Sequence, residues 1–377
     1  MGLRVLVLGA GFGGLELSTT LSETLGEQVE VTLIDKKESF FIGFSKFEVM
    51  FGRQTADAAR MLYRNIVKPG VRFRRENIIA IDPEARSVTT DSNVYEADIL
   101  VVGLGADYDL TATPGLVEGG YEFYSFAGAE RLREYLPTFL GGHVVVGVAD
   151  TPFKCPPAPS ESVLLLHDYL TERGLREQSK ITLVMPFGHP IPPSPATSEA
   201  LLEAFAERGI NYIADRLVKA YDPERKVVTL IDETDLPCDF FLCIPKHRVP
   251  QVVEESGLAQ NGWIPVNPAT LETRFPGVYA VGDVTSVGTP KAGVFAEGAA
   301  RVVAQRLIAQ VRGEEPPPPF DGIGACYIEF GDKRVGRVEV NFLSSPTPTG
   351  TFTAPSLQRV RDKSEFATSR QARWFGQ

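Results

Sequence analysis

A glycine-rich turn between a short apolar strand and a helical pattern constrains the fold of this chain more than any other feature. Residues 3–8 predict a β-strand, and Gly9-Ala-Gly-Phe-Gly-Gly14 follows at once. A helical spacing of leucines comes next, and a second predicted strand, residues 29–34, ends on Asp35. Strand, glycine turn, helix and strand, with an acidic residue about 20 positions after the glycines, are typical of a βαβ unit that binds a dinucleotide.

Each of these residues has a separate task in such a unit. We expect Gly9 to permit the tight turn, Gly11 to let the backbone approach a pyrophosphate, and Gly14 to let the helix lie close to the strand. The free N–H groups at the helix N-terminus would then face the phosphates. Asp35 would accept hydrogen bonds from a ribose diol.

Length and charge narrow the possibilities further. A chain of 377 residues predicts two or three domains, and a net charge of -10 argues against nucleic acid as a partner. No apolar run approaches the ~20 residues of a membrane span. The first strand leaves no room for a signal peptide, and four cysteines are too few for a secreted disulfide scaffold. We therefore expect a cytoplasmic protein with at most peripheral membrane association.

Two later strands also end in glycine turns. They lie within residues 99–106, which include Gly105, and within residues 277–283, which end on Gly282-Asp283. The second leads through Lys291 into a predicted helix at residues 293–311. This arrangement resembles the flavoproteins with two dinucleotide-binding domains, in which an inserted second domain splits the FAD domain.

The resemblance implies that FAD is bound by Gly105, Gly282, Asp283 and Lys291 together with the first glycine turn. Residues 36–50 contain no cysteine. The covalent attachment found after the second strand in some relatives is therefore excluded, and we expect the FAD to be non-covalent.

The insert is predicted to be a second Rossmann-like domain with a degenerate NAD(P) site. Strands are predicted at residues 143–149, 181–185 and 210–213, and helices at residues 162–173 and 198–208. Where a second glycine fingerprint would follow the first of these strands, the chain has prolines, which offer no N–H group to a phosphate. The predicted fold class is α/β with two Rossmann-like domains plus a C-terminal segment. Its boundaries are 1–110 with 250–315 for the FAD domain, 111–249 for the insert, and 316–377 for the C-terminal interface segment.

The segment from Thr151 to Glu161, Thr-Pro-Phe-Lys-Cys-Pro-Pro-Ala-Pro-Ser-Glu, is the most specific motif in the chain. It resembles the motif of the sulfide:quinone oxidoreductases and of the flavocytochrome c sulfide dehydrogenase flavoprotein, and the resemblance continues to Ala325-Cys326. It implies that Cys155 and Cys326 form a redox pair and that Glu161 exchanges protons beside them. Because a reactive thiol needs a lowered pKa, we expect Lys154 to supply positive potential to Cys155.

The expected function follows from this motif and from the degenerate NAD(P) site. It is an FAD-dependent oxidoreductase that oxidises sulfide or a related small sulfur species and passes electrons through FAD to a quinone or a cytochrome-type carrier. Two alternatives remain open: an NAD(P)H-dependent quinone or disulfide reductase on the same fold, and an FAD-stabilised binding protein without turnover.

The remaining cysteines, the histidines and the C-terminal tail lead to three smaller predictions. Cys238 and Cys243 are expected in the core, and the four histidines show no ligand spacing, so no metal site is predicted. The basic tail from Pro355 onward would either touch an anionic membrane surface or pack on its own protein. The oligomeric state is not predicted.

Overall fold

The structure, a computed structural model, describes residues 2–376. Nine α-helices lie within this range: α1 Phe12–Leu25, α2 Ser45–Met50, α3 Leu116–Gly119, α4 Phe126–Tyr135, α5 Ala158–Glu172, α6 Pro195–Glu207, α7 Gln251–Glu255, α8 Gly293–Arg312 and α9 Gln358–Phe375.

Twenty-two β-strands lie within the same range: β1 Leu3–Leu8, β2 Val29–Asp35, β3 Ser39–Phe40, β4 Met61–Leu62, β5 Val71–Arg75, β6 Ile78–Asp82, β7 Ser87–Thr90, β8 Val94–Glu96, β9 Ile99–Val102, β10 Asp107–Asp109, β11 Gly142–Val148, β12 Ser179–Val184, β13 Ile210–Ile213, β14 Val218–Asp222, β15 Val227–Leu230, β16 Asp235–Pro237, β17 Phe240–Ile244, β18 Lys246–Arg248, β19 Val278–Ala280, β20 Ile323–Glu329, β21 Val335–Asn341 and β22 Thr349–Ser356.

Two parallel sheets built on the same plan form the centre of the fold. The first has the order β19-β9-β1-β2-β5 and the second has the order β13-β12-β11-β17. Strands β9 and β17 are buried along their whole length, as expected for parallel strands covered on both faces. The fold class predicted from the sequence, α/β with two Rossmann-like sheets, is confirmed.

The two halves share their order along the chain as well. In the first half the three-stranded antiparallel meander β6-β7-β8 comes directly before β9. In the second half the meander β14-β15-β16 comes directly before β17. Strands β10 and β18 pair antiparallel where the chain enters and leaves the second sheet. The second sheet is therefore inserted in sequence between β9 and β19 of the first.

The helix after β11 begins earlier than the sequence spacing predicts. It starts at Ala158 rather than at Ser162, although Pro157 and Pro159 stand at its beginning. Proline is compatible with the first turn of a helix, because the N–H groups there have no intrahelical acceptor. As a result, Glu161 lies within the first turn of α5.

The C-terminal segment packs on its own protein, one of the two possibilities open from the sequence. Strands β20, β21 and β22 form an antiparallel sheet, and α9 follows it. Trp374 and Phe375 at the end of α9 are buried, and the Trp374 ring contacts Phe12 and Phe40 edge-on. Among the described residues, none of the helices is both long and apolar enough to cross a bilayer.

Candidate redox site

Cys155 lies in the loop between β11 and α5, and its backbone is held from two sides. Its N–H group donates to the carbonyl oxygen of Lys291 over 2.7 Å, and its own carbonyl accepts from Ala158 N–H over 2.8 Å. Its φ angle is +50°, in the left-handed region. A side chain held there costs on the order of 1–3 kcal/mol and is found most often at functional sites.

Cys326 lies on β20, opposite Val338 of β21. Both Cys155 and Cys326 are free thiols and partly buried. Burial, and to a smaller extent the charge of Glu161, raises the pKa of Cys326 to about 12. Burial, then Glu161 and Cys326, raise the pKa of Cys155 well above its ordinary value. Two cysteines 171 positions apart therefore share one electrostatic environment, and both hold their protons at neutral pH.

The charge of Glu161 raises the pKa of both thiols. Its side chain is 3% exposed, and its Oε1 accepts the backbone N–H of Glu329 over 3.0 Å. Burial raises its pKa to about 7; the Lys363 cation opposes this rise and the Glu329 charge adds to it. A carboxyl group with this pKa exchanges protons readily at neutral pH.

Lys154 does not have the surroundings that the sequence suggests. Its Nζ donates to the carbonyl oxygen of Ala106 over 2.6 Å and to the hydroxyl of Tyr108 over 3.2 Å. Burial lowers the pKa of Lys154, but Tyr108 and Asp283 outweigh this and the pKa is raised overall. The ammonium group thus bonds to the segment after β9, and Lys154 is not among the largest influences on the pKa of Cys155.

His247 fixes the backbone just before Cys155. Its Nε2 accepts the N–H of Lys154 over 3.2 Å, and its Nδ1 lies 2.8 Å from the carbonyl oxygen of Pro245. Burial, followed by the charge of Lys154, lowers the pKa of His247 to about 3. The imidazole is therefore neutral, with Nδ1 as the donor and Nε2 as the acceptor.

Lys46 is the cation with the largest effect on the pKa of Cys155, and sequence reasoning missed it. It lies on α2, and its Nζ donates to the carbonyl oxygen of Tyr124 over 2.5 Å. The charge of Lys46 lowers the pKa of Cys155. Burial, and then repulsion from Lys154, lower the pKa of Lys46 itself to about 8. Because Lys46 is 109 positions from Cys155 and stands in no motif, no local signal marks it.

The first glycine turn has the geometry of a phosphate cradle. Gly9 has φ of +94°, and a Cβ on Gly14 would lie 1.9 Å from the carbonyl oxygen of Gly9, so α1 packs directly on the turn. Gly11 caps α1, and a Cβ there would meet open space. The two carboxylate oxygens of Asp35 accept the N–H groups of Ala10 and Lys37, each over 2.9 Å. The acid therefore lies at the turn itself, where a ribose would be expected.

The residues predicted to hold the flavin from the other side lie between β19 and α8. Gly282 follows β19, and Lys291 Nζ donates to the carbonyl oxygens of Asp283 and Thr285 over 2.6 and 3.2 Å. Burial, more than repulsion from Lys154, lowers the pKa of Lys291 to about 8. Lys291 thus secures the loop that leads into α8. Gly105 follows the end of β9, the strand that pairs with β19, and has a φ of +71°.

The two helix N-termini meet at this place. Gly293 is the first residue of α8 and Phe12 is the first residue of α1. A Cβ added at Gly293 would lie 2.5 Å from the Phe12 ring. Two N-termini with unpaired N–H groups and positive dipole ends suit an anionic diphosphate. In addition, the hydroxyl of Tyr124 is buried and has no hydrogen-bond partner among residues 2–376. These features fit a bound dinucleotide.

The remaining cysteines and histidines form no comparable site. Cys238 and Cys243 are buried in one apolar cluster with Phe241, as predicted. Over residues 2–376, no three His, Cys, Asp or Glu side chains come together in a way that would hold a metal ion.

Comparisons with known proteins agree on the family. The model of the pyridine nucleotide-disulphide oxidoreductase family matches residues 3–301. The chain is 24% identical over 363 residues to the mitochondrial sulfide:quinone oxidoreductase of Mus musculus, covering 93% of this chain and 80% of that protein. It is 27% identical over 358 residues to the sulfide-quinone reductase of Aquifex aeolicus, covering 88% and 82%.

A solved structure extends the agreement to the fold. The X-ray structure of the sulfide:quinone oxidoreductase from Aquifex aeolicus matches with a TM-score of 0.85 at 22% identity. The match covers 98% of this chain and 90% of that one. The resemblance seen in the Cys155 motif is confirmed.

Proposed function

Because the chain belongs to the pyridine nucleotide-disulphide oxidoreductase family, we propose that it is an FAD-dependent oxidoreductase that oxidises sulfide and delivers the electrons to a quinone. The main support is one spatial relationship. Cys326 lies on β20, far along the chain from Cys155 and Glu161, yet Glu161 raises the pKa of both cysteines and Cys326 also raises that of Cys155. The sulfide:quinone oxidoreductase relatives support the choice of sulfide and quinone.

The residues at the two helix N-termini would hold the cofactor. Gly11 and the first turn of α1 would face the diphosphate, Asp35 the ribose, and the N-terminus of α8 with Asp283 the flavin end. Bound FAD would supply a two-electron acceptor between the sulfur chemistry and the quinone.

The sulfur chemistry belongs to the cysteines. We infer that sulfide attacks one sulfur of a Cys155–Cys326 disulfide, so that one S–S bond breaks and a new S–S bond forms as a persulfide. The other cysteine leaves as a thiolate carrying the electron pair. The proton of the attacking hydrosulfide passes to Glu161, the only one of these groups whose pKa lies near neutrality. Because the pKa of each cysteine is raised, both thiols of the reduced pair are protonated at neutral pH.

The segment after β11 supports sulfide rather than a nicotinamide as the electron donor. Pro157 caps α5 and Pro159 lies in its first turn, so two of the N–H groups that would face a second pyrophosphate are missing. The N–H of Ala158 is already bonded to Cys155. An NAD(P)H-dependent reductase would need these groups.

An anaerobic titration of the FAD-loaded protein tests the proposal. Sulfide should bleach the visible flavin band, NADH should not, and a quinone added afterwards should restore it. A Cys155→Ser protein should bind FAD equally well and should not bleach with sulfide. Bleaching by NADH alone would favour a nicotinamide-dependent reductase, and bleaching by neither donor would favour a binding protein. Equal bleaching of the Cys155→Ser protein would overturn the role of the cysteine.

A further inference from the structure

Glu329 lies where three segments of the chain meet. Its carboxylate pairs with Lys363 of α9 through Oε1, and with Arg53, which follows α2, through Oε2 over 3.3 Å. Its backbone N–H holds Oε1 of Glu161 over 3.0 Å. One residue thus joins the C-terminal helix to the proposed acid–base group of the redox site.

The ion pair of Glu329 and Lys363 is shielded from solvent, whereas Arg53 is exposed. Glu329 is 9% exposed and Lys363 is 6% exposed. The Lys363 ammonium group also lies 4.6 Å from the centre of the Phe44 ring. Charges held in such surroundings act on one another far more strongly than charges in water, because little solvent screens them.

We propose that Glu329 and Lys363 are positioning residues that control when Glu161 takes up and releases its proton. The inference rests on the proposed function only in giving Glu161 an acid–base role. The control itself is a property of this ion pair and of the backbone hydrogen bond. In this way α9, which carries neither cysteine, would tune the chemistry of the site.

The charges of Lys363 and Glu329 decide in which direction the pKa of Glu161 moves. The groups that face Glu161 are Lys363 from α9, Glu329 and Cys326 from β20, and Cys155 and Tyr124 from the neighbouring loops. Both thiols and the Tyr124 phenol have raised pKa values and are neutral near pH 7. The Lys363 cation lowers the pKa of Glu161, and the Glu329 carboxylate raises it by a smaller amount.

The two charges therefore predict opposite changes. Lys363→Met should move the titration midpoint of Glu161 upward. Glu329→Gln should move it downward, because the like charge is removed while the backbone N–H remains. Each shift should be roughly one pH unit, as one nearby charge typically produces. A role confined to packing would not give shifts of opposite sign.

The midpoint is measured on the FAD-loaded protein from the infrared band of the protonated carboxyl group. The band is assigned by its absence in Glu161→Gln. This readout needs no sulfide, so it separates the two hypotheses. Shifts without any sulfide-dependent bleaching would leave the inference standing and remove the proposed function. Sulfide-dependent bleaching without any shift of the midpoint would leave the proposed function standing and overturn the inference.

Matched controls remove the same charges elsewhere. Arg361→Met changes an exposed cation of α9, and Glu339→Gln changes an exposed carboxylate on β21. Neither should move the midpoint.

If a single variant fails to fold, the exchanged pair Glu329→Lys with Lys363→Glu keeps an ion pair in place. It should raise the midpoint, since position 363 has the larger effect on Glu161. An unchanged midpoint in every folded variant, or shifts of the same sign in both single variants, would overturn the inference.

Discussion

The backbone N–H of Cys155 donates to the carbonyl oxygen of Lys291 over 2.7 Å, and this bond joins the inserted domain to the loop before α8. The neighbouring residue, Lys154, forms a parallel bridge with Lys291 at the same point. Since Lys291 also holds the carbonyl oxygens of Asp283 and Thr285, the cysteine and the proposed flavin-binding loop share one backbone framework. Their relative position is therefore set by a backbone hydrogen bond and by the side chain of Lys291.

The two cysteines should behave as one unit in sulfide-dependent reduction. Cys155→Ser and Cys326→Ser should each slow the anaerobic bleaching by more than about a thousandfold, and the double variant should lose no more than either single one. Stopped-flow absorbance measures these rates. The control is Cys238→Ala, which removes a buried sulfur from another cluster and should leave the rate unchanged. Losses that multiply in the double variant would show that the cysteines act separately.

Ionisation of Glu161 should make the stability of the protein depend on pH. Its pKa is raised from 4.5 to about 7 in the folded state. Its contribution to stability is therefore complete below pH 4.5 and is lost as the pH rises through about 7. Glu161→Gln lacks this loss. Relative to the parent protein, the variant should gain up to about 3 kcal/mol in free energy of unfolding between about pH 4 and about pH 8.

Urea unfolding of both proteins at the two pH values measures this difference. Glu339→Gln, on an exposed position of β21, is the matched control and should show no comparable gain. A constant difference between Glu161→Gln and the parent across the range would mean that Glu161 is not buried in its neutral form.

Lys46 should control the reactivity of the Cys155 thiol, and Lys154 should not. In a reduced Cys326→Ala background, Lys46→Met should slow alkylation of Cys155 by iodoacetamide up to about tenfold, because removing the cation raises the thiol pKa. The difference should shrink as the pH rises through about 8, where Lys46 itself loses its charge. Lys46→Arg should react like the parent. A larger effect from Lys154→Met would assign the role to Lys154 instead.

Two glycines of the first turn should separate folding from cofactor binding. A Cβ on Gly14 would meet the Gly9 carbonyl at 1.9 Å, so Gly14→Ala should destabilise the fold. A Cβ on Gly11 meets nothing within 4 Å, so Gly11→Ala should fold normally and bind FAD at least about tenfold more weakly, since the methyl group occupies the space of the diphosphate. FAD fluorescence titration and thermal unfolding test both. Equal FAD affinity in Gly11→Ala would move the diphosphate elsewhere.

The end of α9 should be part of the folded core. Trp374 is 1% exposed, and its Nε1 donates to Glu16 over 2.9 Å. Trp374→Ala should therefore cost roughly 3–5 kcal/mol in free energy of unfolding. The control is Leu357→Ala at the exposed start of the same helix, which should change stability by less than about 0.5 kcal/mol. Similar small losses in both variants would mean that α9 is not docked in solution.

The sequence by itself determined the repeated α/β pattern and the positions of the glycine turn, Asp35 and Cys155. These features depend on turn chemistry and on periodicity within a few consecutive residues, so they can be recognised in a short stretch of sequence. The motif also marked Glu161. Its place in the first turn of α5 appeared only in the structure, because the helix begins at Ala158, before the predicted start at Ser162.

Only the tertiary structure decided which charges surround the sulfur atoms. Lys46 has a larger effect on the pKa of Cys155 than the adjacent Lys154, and Glu329 and Lys363 reach Glu161 from segments 168 and more positions away. Such pairings depend on how helices and sheets pack. A pKa depends on burial and on distances of a few ångströms, neither of which is encoded in the spacing of residues along the chain.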